Sequence, residues 1–586
     1  MPEESRNKFW TRWWRRPGNA FPRLVGHFLA RLVSGGQDAN GEFELGAGAL
    51  LGLLAAPGAF TAFLMFDKYS SLLDSPFFRG HMRQDYYATS TPDKYLFLSL
   101  AMAITGIVTV LKWDKILPDA QDYLNLAPLP VQPRRVLLAN AAAIAFAVVV
   151  FAVDVNGAST VLFPLIVTAA AHSPAAASLE FAAIHAFCLI LASLFTFCAV
   201  FALLGILSAL LPREVFRAVS SWLRSALLVA FLMLLPSGYA APALLRKLAL
   251  DPHSVVRWLP SFWFLGLYQV LQHRATPAMA QVAEWALPGS AAAFGLMVVC
   301  YALSYRRRFA SVLETGRIRS GQRLFALPLA FLDLFAAGAG GFERAAHRFA
   351  VRALMRNEPH RLAISVAIGL GWLLAFQSAT QIPLGAAPGI PQLAGPLIAC
   401  YLLVLGVRAA FELPAGVPAN WIFRAMLDAR RQETRPAARR IMLAWVTLGV
   451  VLPAAAIWWR LWGMGAAMVE AAYVLALSLC LIEILLSGYR KVPLTCPMPG
   501  FRDNFLMLCL LQFLGFELFT RAGAVLEGWV LDQPVRLLAL PAAMTGAWYW
   551  NRRRLHDARE AGEVEEGVTF ESFERPAVER LNLSGG

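Results

Sequence analysis

The 586-residue sequence predicts an all-α polytopic membrane protein with about twelve transmembrane helices in two pseudo-repeated six-helix halves. Three observations predict it. The composition is 58% hydrophobic and only 15% charged, with a mean hydropathy of +0.54; an average soluble chain carries about 25% charged residues. Uncharged runs long enough to cross a bilayer recur along the chain. Lys and Arg are segregated onto alternate connections between those runs. Together they exclude a soluble multidomain enzyme, a disordered chain and a nucleic-acid-binding domain.

A helix needs about 20 mostly apolar residues to cross the hydrocarbon core. Residues 1–44 are basic and Trp-rich, without the short apolar stretch and small-residue cleavage site of a signal peptide. Within them Phe21–Val33 reads as an amphipathic helix lying on the membrane surface. The first half, 45–305, holds the runs Leu45–Phe66, Tyr95–Leu111, Val136–Val153, Phe181–Leu211, Ser225–Leu245 and Trp285–Tyr305. Val161–Ala171 is apolar and reads as a partial re-entrant element. The linker 306–361 carries eleven arginines, an apolar patch at Phe325–Ala337 and a second surface helix at Phe342–Arg356. The second half, 362–550, opens with Leu362–Val407, which lacks any charge and holds two spans broken at Pro383–Pro396, a segment dense in Pro and Gly. Ile441–Trp459 follows, then weaker spans at 466–487, 503–522 and 534–550. Residues 551–586 form an acidic tail with few apolar residues, the composition of a disordered segment.

With the N-terminus placed inside, 41 of the 52 Lys and Arg fall on inner segments and 11 on outer ones. The split supports an even span number with both termini cytoplasmic, and the chain is expected in the cell (inner) membrane. The net charge of +14 suits an anionic inner leaflet and needs no nucleic acid as partner. Each half begins with a surface helix. Each also has a sizeable inner loop between its second and third spans, containing Leu-Pro (Leu117-Pro118, Leu413-Pro414) and ending in Arg-Arg (Arg134-Arg135, Arg439-Arg440). Parallel repeats of this kind recur in transporters.

In the first of these loops, Trp113 to Arg135, Pro118-Asp119 followed by Asp122 is a helix-start pattern. Asp119 caps the backbone N–H groups, and Asp122 favours the positive end of the helix. Pro128 and Pro130 end it after about two turns. Tyr123, Leu126 and Leu129 are its apolar contacts. A short capped helix below the membrane is a handle for a soluble partner; a tight turn resting on headgroups fits the same residues.

The string DAQDYLNLAPLPVQPRRVLLAN resembles the segment after the second span in permease subunits of type-2 ABC exporters, where an acidic-aromatic stretch is followed by Leu-Pro and a basic pair. The long connection between the fifth and sixth spans, with Pro260-Ser-Phe-Trp263, also resembles that family. The second-half loop, PANWIFRAMLDARRQETRPAARR, lacks the Leu-Pro-Val and shares only position and the Arg-Arg ending. The resemblance implies six-span units, coupling helices seated on cytoplasmic ATPase subunits, and substrate export. Asp119, Asp122, Tyr123, Leu126, Pro128, Leu129 and Pro130 occupy the coupling-helix position. Trp421, Ile422, Met426 and Leu427 form the apolar face of the second. ATP and Mg are expected on the partner subunit, with no cofactor or metal in this chain.

The dipeptide Gly-Lys is absent, so no P-loop cradles phosphates here, and the chain is not expected to be an enzyme. Val33-Ser-Gly-Gly-Gln37 superficially matches an ATPase signature but stands alone before a span. The seven cysteines include no CxxC pair and read as small apolar residues. Asp67, Asp74, His81, Asp85 and Asp93 lie in the first outer loop without metal spacing. They read as solvated, and a membrane transferase or assembly factor with its site there is a third functional class. His185 reads as a hydrogen-bonded core residue. An ion-coupled secondary transporter is the alternative within transport, using the intramembrane acids Glu483 or Glu517. Arg521 sits one helical turn from Glu517 and is positioned to pair with it. Glu470, near the outer edge, reads as structurally explained. The substrate-binding residues are not legible.

Overall fold

The structure is a computed structural model. It describes residues 20–33, 47–74, 86–116, 132–211, 213–251, 254–312, 326–379, 388–413, 434–487, 489, 492–494, 505–533, 535, 536, 545, 546, 549 and 553. Among these all regular structure is helical, and eight helices are long and apolar enough to cross a membrane. Large apolar side chains such as Phe60, Phe63, Leu165, Leu179, Phe513 and Leu514 are more than half exposed, which hydrocarbon tolerates and water does not. The chain is a polytopic helical membrane protein. It divides into two compact units, Met1–Ser220 with Leu227–Arg319 and Ser221–Ala226 with Ser320–Gly586.

The first unit contains α1 (Ala20–Val33), α2 (Ala47–Asp74), α3 (Thr91–Ile116), α4 (Pro133–Ala170), α5 (Ala175–Leu210), α6 (Arg213–Leu250, apart from Ser221–Ala226), α7 (Pro260–Leu271), α8 (Pro277–Ala283) and α9 (Ala286–Val312). The expected surface helix is α1, which buries Leu24 and Phe28 against Val136, Ala139 and Ala143 of α4. The run ending at Val153 and the supposed re-entrant piece Val161–Ala171 are instead one 38-residue helix, α4. Asp154 ends the uncharged run but not the helix. The next polar residue, Asn156, turns its amide onto Ala152 O (2.7 Å) and Ser193 Oγ (3.1 Å) of α5. At 1.5 Å per residue α4 is about 57 Å long, well beyond a ~30 Å hydrocarbon core. α5 packs against α3, α4, α7 and α9, and α7, almost wholly buried, packs against α3, α5 and α8. The long connection between the fifth and sixth expected spans is therefore itself a packed helical element.

The second unit contains α10 (Ala326–Leu334), α11 (Gly341–Arg356), α12 (Glu358–Ala379), α13 (Ile390–Phe411), α14 (Arg435–Trp462), α15 (Met464–Leu485), α16 (Phe505–Glu517) and α17 (Gly523–Asp532). The Pro-Gly break expected over Pro383–Pro396 is shorter. Gly389 is the N-cap of α13, Pro391 sits in its first turn where no N–H is needed, and Pro396 lies inside the helix. A π turn, Leu518–Ala522, joins α16 to α17, so the helix runs on past the expected end at 522. α13 is the central element, packed against α12, α14, α15 and α17. The expected span 534–550 and the tail fall almost wholly outside the described residues.

The helix expected as a second surface helix, α11, packs on α14, as α1 packs on α4. Its His347 is fully buried and donates Nε2–H to Leu332 O of α10 (2.9 Å), while Nδ1 has no partner. Burial holds the imidazole below its ordinary value of 6.5, only partly offset by the bond to Leu332 O and by Asp333 and Glu343, with Arg440 pushing the same way as burial. Above that value the ring is neutral whether α11 is docked or not. As pH falls below it, the undocked histidine gains a proton and the docked one does not, so docking weakens. At about pH 5.5 the amides of 341–356 should exchange hydrogen faster than at neutral pH after correction for intrinsic rates, and His347→Gln should remove that difference.

Candidate functional site

Asp119, Asp122, Tyr123, Leu126, Pro128, Leu129, Pro130, Trp421, Ile422, Met426 and Leu427 all lie outside the described residues. The structure does describe the stems from which both loops leave, and both stems are clamped. In the first unit Asn140 of α4 donates Nδ2–H to Ile116 O, the last carbonyl of α3 (3.2 Å), and to Tyr301 Oη of α9 (3.0 Å). Tyr301 in turn donates to Leu137 O (3.1 Å). The end of α3, the start of α4 and α9 are thus tied by one buried amide and one phenol. Trp113, 2% exposed, packs edge-on to Phe201 of α5 beneath them.

In the second unit the entry to the loop is held by His360 Nε2, which donates to Leu413 O (2.9 Å), and by Leu494 N–H, which donates to Phe411 O (3.0 Å). Arg408 pairs with Glu412 and stacks on Tyr489. The exit is held by arginines at the start of α14. Arg435 and Arg439 (3.1 Å) both pair with Glu483 of α15, and Arg440 donates to Glu343 (2.6 Å) and to Phe335 O and Ala337 O. Charge-assisted bonds of this kind are about twice as strong as neutral ones. The basic residues at the loop's end, read from sequence as an orientation signal, also fasten α14 to α11 and α15.

The acids divide into two kinds. Glu483 has its two arginines, and Glu517 pairs with Arg521 (2.7 Å) as their spacing indicates. Asp93, expected in a solvated loop, instead starts α3 at 5% exposure, accepting from Lys68 Nζ (2.7 Å) and Tyr69 Oη (2.7 Å). Glu470 has no such pairing. It is fully buried against a second fully buried acid, Glu527 of α17, which the sequence reading placed outside any span. The continuing apolar pattern Ala522–Leu531 around Glu527 was the available signal. His185 is a core residue as expected, bonded through Nδ1 to Tyr268 Oη (2.8 Å). Among the described residues no three His, Cys, Asp or Glu side chains converge as metal ligands. The sequence matches no protein-family model, and no curated protein or solved structure is significantly similar to it.

Proposed function

We propose that this chain is the permease subunit of an ATP-driven exporter of the type-2 ABC kind. Its twelve spans form two fused six-helix halves, with ATP and Mg bound and hydrolysed on separate cytoplasmic ATPase subunits. The observation that carries the reading is the clamping of both loop stems by Asn140–Ile116–Tyr301 and by His360–Leu413 with Glu483–Arg435/Arg439. A loop that passes motion from a soluble motor to the spans must not swivel at its base. The same pattern in each unit, a surface helix docked on the first turns of the helix that follows the loop, supports the duplication. Force on the Tyr123 hairpin would reach α3 and α4 together, and force on the Trp421–Leu427 segment would reach α13 and α14, the movement needed for alternating access. Both termini and both loops are cytoplasmic in this reading, at an anionic inner leaflet.

The test is a detergent pull-down of the full chain with a nucleotide-hydrolysis readout. The wild-type chain should retain an ATPase, and Leu126→Arg should lose it while eluting as the same single species. Retention of the ATPase by Leu126→Arg would remove the first loop from the coupling role. The second reading, an ion-coupled transporter, is favoured by one observation, the buried Glu470–Glu527 contact; Glu483 and Glu517 are both held in ion pairs. It predicts transport that continues without ATP.

A further inference from the structure

Glu470 lies two turns into α15 and Glu527 in the second turn of α17, and both are 0% exposed. Their carboxyl groups meet where α13, α15 and α17 pack together. A second observation is independent of their being acids: none of the four oxygens has an N–H or O–H donor. The hydroxyl of Tyr473, on the same helix as Glu470, donates to Gly523 O (2.7 Å). The surroundings are aliphatic, with Leu397 and Leu477 over Gly523 and Leu393 beside Gly528.

Among the described residues no side-chain cation faces the pair from the packed helices. On α13, Arg408 is paired with Glu412, and on α14 Arg435 and Arg439 are spent on Glu483. Arg521 is paired with Glu517, and Arg460 and Asp532 are exposed. Tyr473 is the titratable group that faces both carboxyls.

Two negative charges in contact, both shielded from bulk solvent and walled by aliphatic side chains, are not sustained in such an interior. Something positive must sit between them. A metal ion asks for about six oxygens; beside the two carboxyls stand Tyr473 Oη and Gly523 O, and these are already bonded to each other (2.7 Å). A proton asks for one acceptor and supplies what is missing: bound to one carboxylate it makes an O–H, which donates to the other. We propose that Glu470 and Glu527 form a proton-binding site inside the second unit, one proton shared between the two carboxyl groups and bridging α15 to α17. Loss of that proton would set the two helices against each other. The assignment needs α15 and α17 to lie in the membrane and does not rest on the ATP-driven reading.

Infrared difference spectroscopy on the full chain in nanodiscs tests it. The wild-type minus E470Q/E527Q spectrum should show a protonated-carboxyl C=O band at neutral pH that shifts in heavy water and is lost in alkali. Absence of the band at neutral pH would overturn the site. A second measurement needs no variant. Dicyclohexylcarbodiimide, which attacks protonated carboxyls in apolar surroundings, should modify Glu470 or Glu527 in the wild-type chain, mapped by mass spectrometry. Failure to modify either would count against the proposal. Loss of both signals on adding sodium chloride at constant pH would overturn it in favour of a metal-cation site.

Discussion

Gly371→Leu will force α12 and α13 apart and lower the stability of the second unit. α12 and α13 are antiparallel and meet through small residues, with Gly371 on Ala399, Gly406 on Ala367 and Ala375 beside Gly395. Ala367, Gly371 and Ala375 recur every four residues and so line one face of α12. Lipid tails are as apolar as leucine, so helices in a bilayer associate through close contact rather than through the hydrophobic effect. A Cβ added at Gly371 would sit 2.9 Å from Ala399 Cα and 3.2 Å from Ala399 O. Both are backbone atoms and cannot rotate aside. The only response is to move α12 outward, which also breaks the bond from Trp372 Nε1 to Gly449 O in the π turn of α14 (2.7 Å). Overpacking costs about 1–3 kcal/mol per site and occasionally more; a leucine against immovable backbone belongs at or above the top of that range. The readout is the thermal midpoint in detergent and the elution profile. Gly371→Leu should melt well below wild type and elute broadly, and Gly371→Ala should fall between. A wild-type midpoint for Gly371→Leu would mean that α12 does not approach α13 this closely.

That contact shows which parts of the molecule the sequence could reveal. The spans of α5, α12 and α13 are legible because hydrocarbon forbids charge, and a run without charge is visible in one dimension. The two amphipathic helices α1 and α11 are legible through their apolar stripes, which the fold buries at Leu24 and Phe28 and at Ala346, Ala350 and Leu354. Glu517–Arg521 is legible because both partners lie on one helix, four residues apart. A polar residue inside a span hides the helix around it. Asp154 cut α4 short on paper, and Arg521 and Glu527 hid α17, although each helix continues. Partners distant in sequence were out of reach altogether. Nothing local distinguishes Glu483, which meets arginines 44 and 48 positions away, from Glu470, which meets another acid. The clamped stems were equally hidden, since Asn140 and Tyr301 are 161 positions apart. Charge signs a helix's place in the membrane, while its pairing is decided only when the helices are brought together.

Lys94→Met will loosen the end of the first unit that carries the short α7–α8 pair. Lys94 is 1% exposed, an unusual place for an ammonium, and the surroundings account for it. Its Nζ donates to Gln272 Oε1 just after α7 (2.7 Å) and to Tyr87 O just before α3 (2.9 Å). The rings of Phe181 on α5 and Tyr268 on α7 lie 5.3 and 5.4 Å from it, within cation–π range. One charge therefore joins α3, α5 and α7. Tyr87 extends the link by donating Oη–H to Ser173 Oγ in the turn between α4 and α5 (3.0 Å). Methionine fills nearly the same volume, so the substitution isolates the charge from the packing. It takes this donor from the half-buried Gln272 Oε1, at about 1–3 kcal/mol for a group left unsatisfied, and removes both ring contacts, while Tyr87 O keeps the bond from Ser90 Oγ (2.8 Å). The loss should be local. Hydrogen exchange over 260–283 should accelerate by one to two orders of magnitude, about what 1.4–3 kcal/mol of lost protection gives, while α12 and α13 exchange as before. Lys94→Ala, which adds a cavity, should be worse. If exchange over 260–283 is unchanged in Lys94→Met, the ammonium does not hold α7 in place, and the cluster of Phe97, Phe163, Phe181, His185 and Tyr268 around it must suffice by packing alone.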